Sequence, residues 1–294
     1  MDLRGKLTER QIDQACAALD YQPFIISDDI QTGAAYSWTT GDLTASTYLF
    51  KRSEHTPQEW SRFTYAAGMQ RQMYDCFVET IAAKYPGGSL LDVACNNGYF
   101  PVRASALGMR NCCGVDQGAQ HGRAVRFLNE VLGTNAQFRE GRYDPKNLPA
   151  LDRKFNVVCA SAIACHLPDP LDFLAYLGSL ASDAIFFFDQ VVDTEALLVA
   201  YWKPEESFAS VGKFPYRFNS ATRMSRGLLY HGFEEMGFRN IIEIPFEHEW
   251  LTSSITAQFK QPGDLAARHY ERWKLGAELV PGGSRHRAYL ACRS

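Results

Sequence analysis

The segment SLLDVACNNGYF, residues 89–100, reads as a short buried strand running through a tight turn into a helix. Leu90, Leu91 and Val93 supply the apolar strand. Gly98 stands where the helix begins, and Pro101 falls in its first turn, where a missing N–H costs little. In open α/β sheets ligands sit at the carboxyl ends of the strands, so a first strand-to-helix turn is the natural place for a nucleotide cofactor. Such turns usually carry three glycines, and this one carries Gly98 alone. Whether it is a cofactor loop or only a strand meeting a helix depends on what surrounds it.

Downstream the rhythm repeats. GYFPVRASALG predicts a helix closed by Gly108, and NCCGVD a second strand. AQHGRAVRFLNEVLG predicts a second helix ended by a glycine, and AQFREG a third strand. FNVVCASA and DAIFFFDQ predict the fourth and fifth strands, with DPLDFLAYLGSL as the helix between them. A helix over SATRMSRGLLYHGFEEMGF, a sixth strand in NIIEIPFEH and a last one in SRHRAYLACR complete the set. Strands alternating with helices of this length are successive β-α-β units. Right-handed crossovers then leave few topologies. The expected fold is α/β: a Rossmann-like, seven-stranded, mostly parallel sheet with helices on both faces.

Upstream, TERQIDQACAALD predicts a short helix, and QEWSRFTYAAGMQRQMYDCFVETIAAKY one or two more, stopped at PGG. The expected organisation is an N-terminal helical and aromatic cap or lid over 1–70, the sheet domain over 71–246 and 284–294, and a helical insertion over 247–283. The aromatic stretches YSWTTGDLTASTYLF and YWKPEESFASVGKFPYRF suit a lid over the strand ends, with ordinary cap packing as the alternative.

With 294 residues, 46% of them apolar, the chain can bury one sizeable core, or one core and a smaller cap. A net charge of −3 gives no electrostatic reason to expect nucleic acid, which needs a clustered basic surface. Arg123, Arg126 and the terminal RHRAYLACRS are the basic hints. The start, MDLRGKLTERQIDQ, has no apolar signal core. AIFFF, residues 184–188, is too short to span a bilayer. A soluble, cytoplasmic protein without membrane contact is expected. The eight cysteines form no C-x-x-C pair and read as buried thiols. Neither they nor the seven histidines show zinc-ligand spacing, so no metal is expected.

Two cofactor patterns compete for the turn. The dinucleotide pattern G-x-G-x-x-G, aligned on 94, 96 and 99, meets Ala94, Asn96 and Tyr99, and it places Asp92 where a pyrophosphate would approach. An acid-x-G-x-G-x-G pattern is filled by Asp92, Ala94, Asn96 and Gly98. Asp116 then ends the second strand, where a carboxylate can accept hydrogen bonds from both hydroxyls of a ribose. FREGRYDPKNLP follows the third strand and FNVVCASAIACHLPDPLDFL spans the fourth.

Taken together, these pieces resemble the class I S-adenosylmethionine methyltransferases over roughly residues 75–246 and 284–294. More narrowly, LDVACNNGYF, GVDQG and HLPDPLDFL resemble the group of tRNA wobble-uridine methyltransferases and their small-molecule relatives. The resemblance implies S-adenosyl-L-methionine as cofactor and S-adenosyl-L-homocysteine as product. The cofactor would be held by Asp92, Ala94, Cys95, Asn96, Asn97, Gly98, Asp116, Gln117, Tyr143, Asp144 and Ser161. Some positions depart from the family. Arg142 stands where such proteins commonly place an acid near the adenine amine, which leaves that role to Asp144, to the Tyr143 backbone or to packing. Ala94 limits positive φ, whereas Asn96 can adopt a left-handed conformation. Cys95 reads as a small packing residue rather than a redox group.

Methyl transfer from a sulfonium is an in-line displacement in which the cofactor carries its own activation. The protein must bring the nucleophile to about 3 Å, and a general base helps when that nucleophile is a hydroxyl. His166, after the fourth strand, is the first candidate base, with helix capping as its alternative. Asp189 and Gln190, closing the fifth strand, could face the same pocket. His231 reads as a surface or packing residue. Arg71 or Tyr65 could hold a methionine carboxylate, with a solvated helix face as the plainer account. The expected activity is methyl transfer to a small-molecule acceptor, most simply at oxygen. A tRNA wobble-uridine modifying transferase, moving methyl or carboxymethyl, is the enzymatic alternative. A non-catalytic regulatory protein that binds S-adenosylmethionine is the other. The acceptor, the methylated atom and the oligomeric state stay open.

Overall fold

The computed structural model describes residues 1–34, 48–141, 143, 151, 153–167, 169–202, 221–246 and 284–294. In chain order the elements are α1 (Glu9–Ala18), β1 (Ile25–Ser27), β2 (Ile30–Thr32), β3 (Leu49–Lys51), α2 (Pro57–Lys84), β4 (Leu90–Val93), α3 (Tyr99–Ala106), β5 (Cys113–Asp116), α4 (Ala119–Leu132), β6 (Gln137–Glu140), β7 (Phe155–Ser161), α5 (Pro170–Leu180), β8 (Ala181–Val192), β9 (Val199–Trp202), β10 (Ala221–Met224), α6 (Arg226–Glu235), β11 (Asn240–Glu243) and β12 (Ser284–Cys292). Seven strands make the main sheet, in the order β11-β12-β8-β7-β4-β5-β6. β4 runs parallel to β7, β5 to β6 and β7 to β8, while β12 is antiparallel to both β8 and β11. This is the mostly parallel Rossmann-like sheet expected from the alternation of strands and helices.

Local chemistry sets the boundaries. α1 and α2 each begin with a capping box, Thr8 with Gln11 and Thr56 with Glu59, and Pro57 opens α2. In a capping box the two side chains satisfy two of the helix's orphan N–H groups reciprocally. α2 is one helix of 28 residues, and Gly133 in the left-handed region closes α4. The helix expected over 220–237 starts late, because Ser225 is extended and its hydroxyl accepts the N–H of Leu228 as an N-cap. Upstream of that cap, Ala221–Met224 is strand β10, paired antiparallel with β9. β7 and β8 are near-continuous apolar runs, as strands covered on both faces should be.

By its internal packing the chain divides into two compact units. The first comprises Met1–Gly88, Cys95–Gly141 and Phe246–Arg272. Its core gathers Phe63, Phe77, Val78 and Ile81 of α2 with Phe24, Tyr99 and Phe100, and Tyr74 meets the Tyr99 and Phe100 rings edge-on at 5.3 and 5.2 Å. β1, β2 and β3 form a small antiparallel sheet in this unit, and Phe50 of β3 stacks on Phe63. The second unit comprises Ser89–Ala94, Arg142–Pro245 and Trp273–Ser294. Its core is built on Val157, Val158, Phe186 and Phe187 of β7 and β8, with Phe173 and Leu177 of α5 and Phe233 of α6. Most of the two lid stretches, the insertion helix, Arg142 and Asp144 lie outside the described residues.

Candidate cofactor turn and acceptor cluster

In the turn after β4, Ala94, Asn96 and Gly98 all have positive φ, at 65°, 50° and 81°. Alternate left-handed residues are what three glycines would supply, and here an alanine and an asparagine adopt the same backbone. That conformation costs a residue with a Cβ about 1–2 kcal/mol. Asn96 recovers part of the cost locally, since its Oδ1 accepts the N–H of Asn97 at 2.7 Å. Gly98 is held to glycine twice over, because a Cβ there would also lie 2.4 Å from Cγ2 of Val125. Gly114 of β5 has a similar constraint: its Cβ position is 2.4 Å from Cys95 Sγ.

β5 ends in Asp116, whose carboxylate organises the first unit's side of the turn. Oδ2 accepts the N–H of Asn96 and Oδ1 that of Gln117, both at 2.7 Å. Each oxygen keeps a further lone pair for a ligand hydroxyl. Gln117 is exposed and serves here through its backbone. His121, which the sequence did not single out, brings Nε2 to 3.9 Å from Asp116 Oδ1, and its Nδ1 is buried without a partner among the described residues. A histidine five residues past an acid makes no motif, which is why it was missed.

Two residues of the turn turn inward. Cys95 is fully buried, its N–H donates to Val115, and its carbonyl accepts from Gly98 and from Gln22 Nε2. Its thiol packs over Gly114, so the structure uses Cys95 for packing. Asn97 is 2% exposed, and its side chain bonds the backbone of Ala18, Asp20 and Tyr21. Gln22, also missed in the sequence, sits beside it at 6% exposure. In α2, Tyr65 is exposed, whereas the charge of Arg71 acts on Tyr99 and Asp2.

The second unit holds the other candidates. Asp92 is buried within β4. Tyr143 packs its ring against Phe173 and Tyr176, at centroid distances of 4.8 and 5.3 Å. Ser161 ends β7 with its hydroxyl buried and without a partner among the described residues. Near the end of β8, Asp189 is buried at 3% exposure, with Oδ2 accepting the N–H of Cys165 at 3.0 Å and Oδ1 that of Gln190 at 2.7 Å. Burial raises its proton affinity above the ordinary carboxylate range, against the pull of those N–H groups and of the nearby His166. Burial first, then the charge of Asp189, pushes the Cys165 thiol well up, so it is no thiolate nucleophile. Arg223 of β10 donates Nε–H to Gln190 Oε1, and burial lowers its proton affinity. Thr222 donates to the carbonyl of Ala164 at 2.8 Å. Cys165, Asp189, Gln190 and Thr222 meet around a crevice too tight to admit a water molecule. His166 ends a short 3-10 turn, Ala164–His166, and is exposed. His231 is exposed on α6, as a surface residue should be. The buried acid of this cluster is therefore Asp189, with His166 outside it.

Residues 65–241 match the model of a family described as methyltransferase domain, which covers more than half of the chain. The chain belongs to the methyltransferase domain family. That bears out the resemblance carried by the turn, by Asp116 and by the fourth-strand segment. Among curated proteins it is similar to the tRNA U34 carboxymethyltransferase of Vibrio parahaemolyticus, at 27% identity over 60% of this chain and 55% of that one. The enzyme of the same name from Nautilia profundicola is 27% identical over 30% of this chain and 29% of the relative. The matches thus span about half, or less, of those relatives' lengths. Among solved structures, the N-terminal domain of EvdMO1, determined with S-adenosylhomocysteine and D-fucose, superposes with a TM-score of 0.51 at 14% identity, over 75% of this chain and 83% of that one. At that identity the likeness speaks for the fold, which hosts more than one chemistry. Among the described residues, no helix is long and apolar enough to cross a membrane.

Proposed function

We propose that this methyltransferase transfers the methyl group of S-adenosylmethionine to a hydroxyl of a small-molecule acceptor. Two observations fit the cofactor. The turn keeps the three-fold left-handed backbone of the glycine pattern, and Asp116 ends the next strand with lone pairs to spare for a ribose. When bound, the cofactor supplies an activated methyl group. The turn and Asp116 orient it.

The observation that carries the acceptor reading is Asp189. It is a buried carboxylate near the end of β8, with raised proton affinity and held by N–H groups of Cys165 and Gln190. A base whose proton affinity moves toward neutrality is suited to take the proton of an alcohol as the oxygen attacks. The Cys165 and Gln190 N–H groups and the Cys165 thiol fix the carboxylate's orientation. His166 serves as an exposed neighbour that influences Asp189 electrostatically.

Calorimetry with S-adenosylhomocysteine, followed by a methyl-transfer screen over hydroxylated small molecules, tests the proposal. Absence of binding at millimolar ligand removes the cofactor reading. Binding without turnover on any acceptor supports a regulatory protein instead. The names of the curated relatives favour a second reading, in which the acceptor is a tRNA uridine and the group moved is methyl or carboxymethyl. Under that reading tRNA binds with an affinity that falls steeply with salt, and methyl or carboxymethyl appears on the RNA.

A further inference from the structure

The first unit contains a device that answers the glycine deficit of the turn. Helix α3 has Gly98 as its N-cap, so no cap side chain is available to its first N–H groups. Gln22, 77 positions upstream, fills that role: its Oε1 accepts the N–H of Tyr99 at 3.0 Å. The same amide reaches the other side of the turn, where Nε2 donates to the carbonyl of Cys95 at 3.2 Å. Asn97 makes the reverse connection. Its Oδ1 accepts the N–H groups of Asp20 and Tyr21, at 3.4 and 3.2 Å, and its Nδ2 donates to the carbonyl of Ala18 at 3.4 Å. Ala18 is the last residue of α1, so that bond also satisfies one of the helix's unpaired carbonyls. Both amides are almost fully buried.

We propose that Gln22 and Asn97 form a reciprocal amide clasp through which segment 18–22 holds the cofactor turn in its left-handed shape, making Gln22 a positioning residue for the methyl donor. The inference rests on the turn at 94–98 being the cofactor's seat. A glycine-rich turn reaches that shape at little steric cost. This turn has an alanine and an asparagine at two of the three positive-φ sites, and the clasp fastens it at Cys95, Asn97 and Tyr99. Opening the clasp would leave buried amide groups unpaired, which is costly. Turn and segment therefore order together, and a ligand that orders one tightens the other.

The test uses hydrogen exchange on the unmodified protein with and without saturating S-adenosylhomocysteine. The clasp requires the amides of Asp20 and Tyr21 to slow together with those of Asn97 and Tyr99. Protection of 95–99 without any change at 20–21 overturns it, whereas no protection anywhere at saturating ligand overturns the cofactor reading instead. The second arm is Gln22→Leu, which keeps the bulk and removes both bonds. Loss of one buried hydrogen-bonding side chain corresponds to about a tenfold or larger rise in Kd. The KM for S-adenosylmethionine should rise in parallel, with kcat within about twofold, as expected when binding alone is weakened. Gln22→Glu, which keeps the acceptor for Tyr99, should recover part of the affinity. A folded Gln22→Leu protein with wild-type affinity overturns the proposal, and the exchange experiment decides it should that variant not fold.

Discussion

The proposed cofactor turn and the proposed acceptor cluster solve opposite problems. In the turn the useful object is backbone: left-handed residues at 94, 96 and 98 and the Asn96 N–H aimed at Asp116. Its side chains mostly hold that backbone, with Cys95 packed over Gly114 and Asn97 bonded to segment 18–22. In the cluster around Asp189 the backbone does the holding, through the N–H groups of Cys165 and Gln190, and the useful object is a side chain with altered proton affinity. Substitutions in the turn should therefore act through shape and affinity, and substitutions in the cluster through rate and pH.

Asp189→Asn presses hardest on that division. It keeps the shape and removes the proposed base, so kcat should fall by roughly 10²–10⁴-fold, the usual worth of a general base, while S-adenosylhomocysteine binds as before. A matching loss of affinity would place Asp189 at the cofactor end instead. The pH signs follow from burial. In the wild type, activity should fall on acidification at a pH above the ordinary carboxylate range, and this limb should vanish in the variant. Stability runs the other way. The folded state holds the Asp189 proton more tightly than the unfolded chain, so stability declines as pH rises from the ordinary carboxylate range through the raised value. Asp189→Asn should flatten that decline in chemical-denaturation curves taken across the window.

Gly98→Ala tests shape alone. A positive φ with a Cβ costs about 1–2 kcal/mol, and crowding against Val125 adds about 1–3 kcal/mol. A loss of about 2–5 kcal/mol from the two together should be read in urea unfolding. Adding Val125→Ala should return part of the crowding cost and none of the φ cost. Full rescue would mean that the turn's left-handed geometry is not constraining. Asp116→Ala comes next. Loss of a charged hydrogen-bond acceptor should weaken S-adenosylhomocysteine binding by about 1.5–3 kcal/mol, measured calorimetrically, with little effect on the rate at saturating cofactor.

Much of the sheet was legible because each strand is bounded locally by a glycine, a cap or a change of period. The seven main strands, Gly133 as a helix stop and Asp116 at the end of β5 all follow from patterns less than about twenty residues long. What escaped depends on partners far away or on weak local signals. Ala221–Met224 is compatible with helix by composition, and only the N-cap geometry at Ser225 and the pairing with β9 make it a strand. Gln22 was invisible because its two bonds reach across more than seventy residues to Cys95 and Tyr99. Asn97 was read toward the cofactor along with the rest of the turn, and its side chain bonds segment 18–22. His166 was ranked above Asp189 for its place after the fourth strand, whereas burial favours Asp189.

The smallest effect separates two ways of living without glycine. Ala94 holds φ at 65° with no hydrogen-bonding side chain to ease it, so Ala94→Gly removes a steric cost and adds some unfolded-state entropy. The balance should stabilise the protein by about 0.5–1 kcal/mol, a rise of about 1–3 °C in Tm for a chain of this size. Asn96 is different, because its side chain accepts the Asn97 N–H while the residue sits at φ 50°. Asn96→Gly gains conformational ease and loses that bond, worth about 0.5–1.5 kcal/mol, so it should be neutral or destabilising. Equal stabilisation by both substitutions would show that the Asn96 side chain contributes nothing to the turn. The expected order, with Ala94→Gly above wild type and Asn96→Gly at or below it, would mean that the turn replaced one glycine by tolerating strain and the other by bonding it away.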